Sequence, residues 1–415
     1  MKHVIVGAGA AGISAAKTIL KRQGNDEIVI ISTDTAVYSR CMLHKFISGE
    51  RGEAELSFIP DGFFEDNNIN WLSGVTITGI DTKNKLVYYH GGSESYDRLL
   101  IATGAQSVIS PIGGLHGSKN VFSLRNLSDA EAIRESAARA DNIVIVGAGL
   151  VGLDAAYALV EMGKKPMIVD MADSILAVNL DAHAAFTYQT KFEEAGCSFH
   201  LGKKISGTIC DASGAVVAVV LDSGKHLSCD LVIIAVGARP AVTLLENSGV
   251  ICKRSATAGV YVDKYLAASA DGVYVAGDAA GLSGIWPNAV NQGEVAALNM
   301  CGVPTVYDDT FALKNTINFF GITSLSVGQL MAREGDTEYC REDRDRYEKI
   351  ILRRGVPVGV ILQGDISHSG FWQYLIKNKI NVSGIPKPVC KLSFADFYGI
   401  ETNGEYKWTI PYKSS

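Results

Sequence analysis

Residues 3–12 read HVIVGAGAAG, an apolar run that closes on a glycine-rich turn. The chain continues through ISAAKTILKRQG, read as a helix closed by Gly24, to a second apolar run, IVIIS, at 28–32. Strand, glycine loop, helix and strand in this order make a dinucleotide-binding unit. Each glycine has its own physical task. Gly7 permits the tight turn, Gly9 lets the backbone approach a pyrophosphate, and Gly12 lets the helix pack against the strand. The first N–H groups of the helix lack intrahelical partners, and together with the helix dipole they favour a phosphate.

The unit recurs. IVIVG at 143–147 runs into GAGLVG at 147–152, then LDAAYALVEMGKK, then the apolar run PMIVD ending at Asp170. Gly147, Gly149 and Gly152 repeat the spacing of the first loop. Two such units imply two nucleotides, or a duplication with one inactive copy.

Composition sets the outer bounds. The 415 residues are 47% hydrophobic and 20% charged, with a net charge of −6. This is the balance of a globular chain of two to four domains. Neither a basic run nor a basic stripe interleaved with aromatics is present, so nucleic acid is not an expected partner. No apolar run reaches the ~18–20 residues of a membrane span, and Lys2 followed at once by a strand leaves no usual signal peptide. The expectation is a cytoplasmic protein with no membrane partner. The eight cysteines (41, 197, 210, 229, 252, 301, 340 and 390) form no CxxC pair, so they read as thiols rather than as disulfides, zinc ligands or iron–sulfur ligands. No metal is expected. Electrons, if carried, must ride on a bound cofactor.

Three further segments end apolar strands on glycine turns: LLIATGA at 99–105, with Thr103 and Gly104; LVIIAVGARP at 231–240, with Gly237; and GVYVAGDAAG at 272–281, with Gly277 and Asp278. Each can pass its loop over a bound nucleotide. Asp278 can accept a hydrogen bond from a ligand hydroxyl, or cap a helix, or both. After about residue 308 the composition changes. KNTINFFGITSLSVGQL and YEKIILRRGVPVGVILQGD read as strands, with a hairpin turning at RRG.

The two glycine loops, the ATG segment at 102–104, AVGARP, VYVAGDAA and WPNAVNQGEVAALNM at 286–300 together resemble the pyridine nucleotide–disulfide oxidoreductase superfamily. Within it the chain is most similar to NADH:rubredoxin oxidoreductases, the flavin part of assimilatory nitrite reductases, and ferredoxin reductases. The resemblance implies an α/β fold with two Rossmann-like dinucleotide-binding domains, for FAD and NADH, and a C-terminal α+β domain. The FAD domain is then split over 1–112 and 241–305, the NADH domain is 113–240, and 306–415 form the last module. FAD would be held through Gly7, Gly9, Ala11 and Gly12, with Asp34 on the adenosine ribose, Ile77 by the adenine and Asp278 on the ribityl chain. Arg40, Trp286 and Ala289 would border the flavin. NADH would lie on Gly147, Gly149 and Gly152, with Asp170 on the ribose 2′-hydroxyl. Chemistry supports the last role independently. A carboxylate repels a 2′-phosphate, and Met171, Ala172 and Asp173 offer no arginine to hold one, so NADH is preferred to NADPH.

The stretch YSRCMLHKFISG at 38–49 decides the acceptor. Laid on the ferredoxin reductases, Arg40 and Lys45 match an arginine and a lysine beside the flavin, and Asp154 stands where a glutamate pairs with that lysine. Coenzyme A-disulfide reductases and NADH peroxidases instead keep one redox cysteine here, and Cys41 falls at that place. Its neighbours Arg40 and His44 and the start of a helix MLHKFIS would favour a thiolate. Met42, where glycine is usual, and Ala10-Ala11, where the peroxidases carry a histidine, depart from that pattern. Two readings of Cys41 therefore stay open: a turnover thiol, or a cysteine packed by the flavin. The resemblance implies an FAD-dependent NADH:acceptor oxidoreductase, acting as a monomer or homodimer, that passes electrons to a rubredoxin- or ferredoxin-type protein. Its rivals are a single-cysteine reductase of small disulfides or persulfides, and an NADH-linked flavin subunit of a larger iron–sulfur complex.

Overall fold

The computed structural model describes residues 1–109, 112–253, 258–309 and 314–408. Residues 409–415 of the expected last module, and the residues next to the expected boundary at 112, lie outside that set. The elements that frame the sites begin with β1 (Lys2–Val6), α1 (Ala10–Arg22), β2 (Glu27–Ile31), α2 (Leu43–Ser48), β3 (Asn70–Leu72), β4 (Arg98–Ile101) and α3 (Leu127–Arg139). They continue with β5 (Ile143–Val146), α4 (Leu150–Glu161), β6 (Met167–Val169), α5 (Ala182–Glu194), β7 (Ser198–His200), β8 (Val273–Val275) and α6 (Trp286–Met300). The last are β9 (Lys314–Phe319), β10 (Ile322–Gly328), β11 (Asp336–Asp343), β12 (Arg346–Arg353), β13 (Val356–Gln363) and α7 (Ser369–Lys377).

The chain forms two compact units. The first comprises 1–141, 208–218 and 229–312; the second comprises 142–207, 219–228 and 313–415. In the first, five parallel strands stand in the order β8-β4-β1-β2-β3. Their sequences are continuous apolar runs rather than alternating ones because both faces are covered. Val4, Ile5, Val29, Ile30, Leu99 and Leu100 are all fully buried. Alternate residues then serve opposite layers. Ile5, Ile30 and Leu100 pack with α1 and α6, whereas Val4, Val29 and Leu99 pack with Val87, Tyr96 and Val273. Burying each such side chain contributes about 1.5–3 kcal/mol.

The glycine loop is set by contact rather than by turn propensity alone. A Cβ on Gly12 would lie 1.9 Å from the Gly7 carbonyl oxygen, and one on Gly7 would lie 2.3 Å from that of Ala102. Gly7 also has φ +108°. A third glycine of this kind, Gly293 on α6, has no room for a side chain because the Ala11 carbonyl would lie 2.2 Å from it. The helices α1 and α6 cross there almost backbone to backbone.

The second unit repeats the motif with β5, β6 and β7 in parallel register. Its other layer is an antiparallel sheet in the order β9-β10-β13-β12-β11, with the hairpin β12–β13 turning at Arg354 and Gly355 as the RRG signal indicated. The buried α5 residue Tyr188 donates to Ser324 Oγ (2.9 Å), and Gln363 donates to the Ala184 carbonyl (2.9 Å). Lys349, only 6% exposed, lies 3.2 Å from Asp181 and 3.0 Å from Glu338. Burial opposes its charge, but the hydrogen bonds to Glu338 and Asp181 outweigh this and hold its pKa above the usual lysine value.

Candidate flavin and nucleotide sites

In the first unit the strand order reverses at β1, whose neighbours β2 and β4 lie on opposite sides. An open α/β sheet binds ligands at such a switch point, beyond the carboxyl ends of the strands. A cleft of ≈ 350 Å³ opens there. Its floor is the first glycine loop, with Gly7, Gly9 and Ala11. One wall follows β2 with Asp34, Arg40, Cys41 and Ile77; the other follows β4 with Thr103 and Gly104. The far end is closed by Gly277, Asp278, Trp286 and Ala289. These residues, scattered over more than half of the sequence, come together because β8 adds to the sheet beside β4.

The cleft suits a pyrophosphate-bearing ligand. Gly9 is the N-cap of α1, makes no side-chain cap and is followed by no acid in the first turn, so the helix N–H groups face the cleft uncontested. A Cβ on Gly9 would meet nothing closer than Arg40 Nη1 at 3.7 Å. Thus Gly9, unlike Gly12, leaves ligand space rather than packing space.

Two ion pairs line the walls. Arg40 donates to Asp34 (2.6 Å), and the buried Tyr38 hydroxyl donates to the other oxygen of the same carboxylate (2.8 Å). Burial pushes the Tyr38 phenol up to about 12, so it stays a donor. Arg125 donates to Asp278 (2.8 Å) and, through Nε, to the Ala105 carbonyl (3.1 Å). The buried Gln292 accepts from the Gly277 N–H (2.8 Å), which fixes the turn that presents Asp278. The resemblance places PNAVNQG at 287–293, with Gln292 and Gly293, near the flavin, but no sequence signal marks Arg125 or Tyr38 as site residues. Gln292 and Gly293 sit within WPNAVNQGEVAALNM, and Arg125 precedes an Asn126/Asp129 capping box, a local signal that marks a helix start but no partner.

Other expected site residues lie elsewhere. Gly12 is beneath the loop. Gly237 is not among the cleft residues; at φ +114° it makes a turn whose carbonyl accepts from Val108 N–H (3.0 Å). Lys45 lies in the last turn of α2 and pairs with Glu50. The structure revises the surroundings of Cys41. A 3₁₀ turn, Arg40–Met42, precedes α2, and that helix is only six residues long, beginning at Leu43. Burial, aided by the Lys45 charge, pushes His44 down to about 4, so at neutral pH it is not the cation the sequence suggested. Cys41 is exposed on the cleft wall, with Arg40 as its charged neighbour.

In the second unit Gly147 has φ +112°, and Gly149, the N-cap of α4, is again uncapped with open space where a Cβ would stand. Gly152 is buried in the first turn of α4, and Asp154 follows it on the same helix. Asp170, just after β6, accepts from the Ala148 N–H (2.6 Å) and the Ala172 N–H (2.8 Å). The carboxylate is therefore held beside the glycine loop, where a ribose would meet it. Among the described residues no group of three or more His, Cys, Asp or Glu is placed to hold a metal, and no helix is long and apolar enough to cross a membrane.

Comparison with known proteins agrees with this geometry. Residues 1–293 match the family model for pyridine nucleotide-disulphide oxidoreductases, and 314–380 match the rubredoxin NAD+ reductase C-terminal domain. The chain is 30% identical to the rubredoxin-NAD(+) reductase of Ectopseudomonas oleovorans over 318 residues, which is 74% of this chain and 81% of that protein. It is 29% identical to the NADH-dependent phenylglyoxylate dehydrogenase subunit epsilon of Aromatoleum evansii, covering 92% and 93% of the two chains. The nitrite reductase [NAD(P)H] of Bacillus subtilis is 28% identical over 92% of this chain, but the chain spans only 48% of its length. In fold, the ferredoxin reductase from Rhodopseudomonas palustris superposes with a TM-score of 0.82 at 24% identity, covering 92% of this chain and 95% of that one. The chain belongs to the pyridine nucleotide-disulphide oxidoreductase family and is an oxidoreductase with FAD and NADH as its cofactors.

Proposed function

We propose that the protein takes reducing equivalents from NADH and passes electrons through FAD to a redox protein of the rubredoxin or ferredoxin type. The observation that carries this reading is the pair of uncapped glycine-loop helices, joined in one chain to a module of the rubredoxin reductase type at 314–380. Bound FAD would accept a hydride and release electrons singly, which suits a one-electron acceptor. The residues of the chain do the rest. Gly7, Gly9, Ala11 and the α1 N-terminus receive the pyrophosphate; Asp34 and Asp278 hold the ribose and ribityl hydroxyls; Ile77 packs by the adenine; Arg40, Thr103, Gly104, Gly277, Trp286 and Ala289 border the flavin; and Asp170 with Gly147, Gly149 and Gly152 receives NADH. Gly237 is assigned to the turn that closes the site. We assign the split FAD domain (1–112 and 241–305), the NADH domain (113–240) and the last module (306–415) to these tasks. The protein is proposed to act in the cytoplasm, as a monomer or homodimer, or as the NADH-linked flavin subunit of a larger complex, the last supported by its likeness along 93% of the epsilon subunit above.

Lys45 is proposed as a cation beside the flavin. Replacing Lys45 with Met removes a cation that favours electron-rich flavin. The Lys45→Met protein is expected to show a flavin potential lower by about 30 mV, equivalent to about 1.4 kcal/mol for a two-electron couple. A spectroelectrochemical titration reads this directly, and an unchanged potential removes Lys45 from the site.

A second reading, disulfide or persulfide reduction through Cys41, is supported by the exposure of that thiol on the cleft wall. Anaerobic dithionite titration of air-oxidised protein separates the two. Uptake of two electrons per FAD is expected, and the same from Cys41→Ser. Four electrons, with the excess absent in Cys41→Ser, would make Cys41 a redox centre and replace the electron-transfer reading with thiol chemistry.

A further inference from the structure

Asp34 is the residue proposed to hold the adenosine ribose of FAD, and its carboxylate is held by two side chains, Arg40 and the buried Tyr38. Tyr38 is 3% exposed. Its hydroxyl donates to Asp34 Oδ1 (2.8 Å) and accepts from the Leu127 N–H (3.1 Å). Leu127 is the first residue of α3, so that N–H is one of the donors a helix leaves without an internal partner. Accepting it polarises the phenol and strengthens its own donation to the carboxylate. The Tyr38 ring also lies 5.0 Å beneath the Arg40 guanidinium, which donates to Asp34 Oδ2 (2.6 Å). Thus Tyr38 holds one oxygen of Asp34 by hydrogen bond and supports, through its ring face, the cation that holds the other.

A carboxylate has about four lone-pair positions. Tyr38 and Arg40 occupy one on each oxygen and leave one on each, in a residue that lines the cleft. Arg40 is 28% exposed and the Asp34 side chain 21%, so neither is fixed by burial as Tyr38 is. We infer that Tyr38 is a positioning residue for ribose recognition in FAD binding, tying the Asp34 carboxylate to the N-terminus of α3. The role goes beyond the residues assigned above and rests on the reading that Asp34 receives the ribose.

The test uses apoprotein stripped of FAD and two probes, ADP and 2′,3′-dideoxy-ADP, which differ only in the ribose hydroxyls. Wild-type apoprotein is expected to prefer ADP. In Tyr38→Phe, which keeps the ring under Arg40 and removes only the hydroxyl, ADP and FAD are expected to bind about 10-fold more weakly, the size of one hydrogen bond to a charged group. The dideoxy probe should bind as before. In Asp34→Asn the preference for ADP should also collapse, and adding Tyr38→Phe to that variant should weaken FAD by no more than about 2-fold, since both act on one carboxylate. Equal weakening of both probes in Tyr38→Phe would mark a merely structural tyrosine and overturn the inference. So would full ADP preference in Tyr38→Phe alongside its loss in Asp34→Asn. If Asp34→Asn itself keeps the preference, the ribose assignment of Asp34 fails, and the role of Tyr38 falls with it.

Discussion

Gly9→Val protein is expected to fold, to purify colourless and to bind added FAD at least 100-fold more weakly than the wild type. The prediction follows from what a Cβ would touch. At Gly9 the nearest protein atom is Arg40 Nη1 at 3.7 Å, so the fold has room for the branch. The space it fills is the mouth of α1, where N–H groups are left for a phosphate. Losing two charge-assisted hydrogen bonds there costs at least about 3 kcal/mol, which is a factor of more than 100 in affinity. Gly12→Val is the contrasting variant. Its Cβ would sit 1.9 Å from the Gly7 carbonyl oxygen and 3.2 Å from Ile5 Cγ2, so the loop must move or the protein must unfold. Circular dichroism and a fluorescence titration with FAD distinguish the two. Normal FAD affinity in Gly9→Val would mean that the pyrophosphate does not approach this loop.

The second large effect is at Asp170. Asp170→Ala is expected to raise KM for NADH about 100-fold while FAD content stays at the wild-type level. The carboxylate binds the Ala148 N–H (2.6 Å) and the Ala172 N–H (2.8 Å), so its removal leaves two loop donors without their acceptor and removes the ribose partner. Hydrogen bonds to charged groups are worth about 1.5–3 kcal/mol each. Asp170→Asn keeps one acceptor oxygen and is expected to lose only about 10-fold. The ratio of NADH to NADPH activity should fall in both variants, because a negative charge no longer faces the 2′-phosphate. Stopped-flow reduction of the flavin over a range of each nucleotide checks this. A loss confined to kcat, with KM unchanged for both nucleotides, would place Asp170 outside the nucleotide site.

Much of this was legible in the chain because it is local. HVIVGAGAAG encodes its strand, its turn and the start of its helix within about ten residues, and backbone sterics and helix-end hydrogen bonding act over that distance. The same local logic placed the second loop, Asp170 at a strand end and the RRG hairpin. Gly7 and Gly147, both at positive φ, could be read as turn glycines for the same reason.

Local logic also misled where burial decides chemistry. His44 stands three residues from Cys41 and reads as a cation in the sequence, yet its packing withdraws it from water and pushes its pKa to about 4. The helix expected over MLHKFIS, from Met42, starts one residue later and has six residues, with a 3₁₀ turn before it.

The sequence by itself determined the two dinucleotide units, because glycine spacing and apolar runs report on neighbours along the chain, and its resemblance to a known family implied the cofactors. Only the tertiary structure decided which charges meet. Arg125 reaches Asp278 across 153 positions, the Leu127 N–H reaches Tyr38 across 89, and Gly293 lets α6 press on Ala11 from the far end of the flavin domain. Those pairings depend on the order in which strands are laid beside one another. β8 joins β4 although they are distant in sequence, and no local propensity specifies that choice.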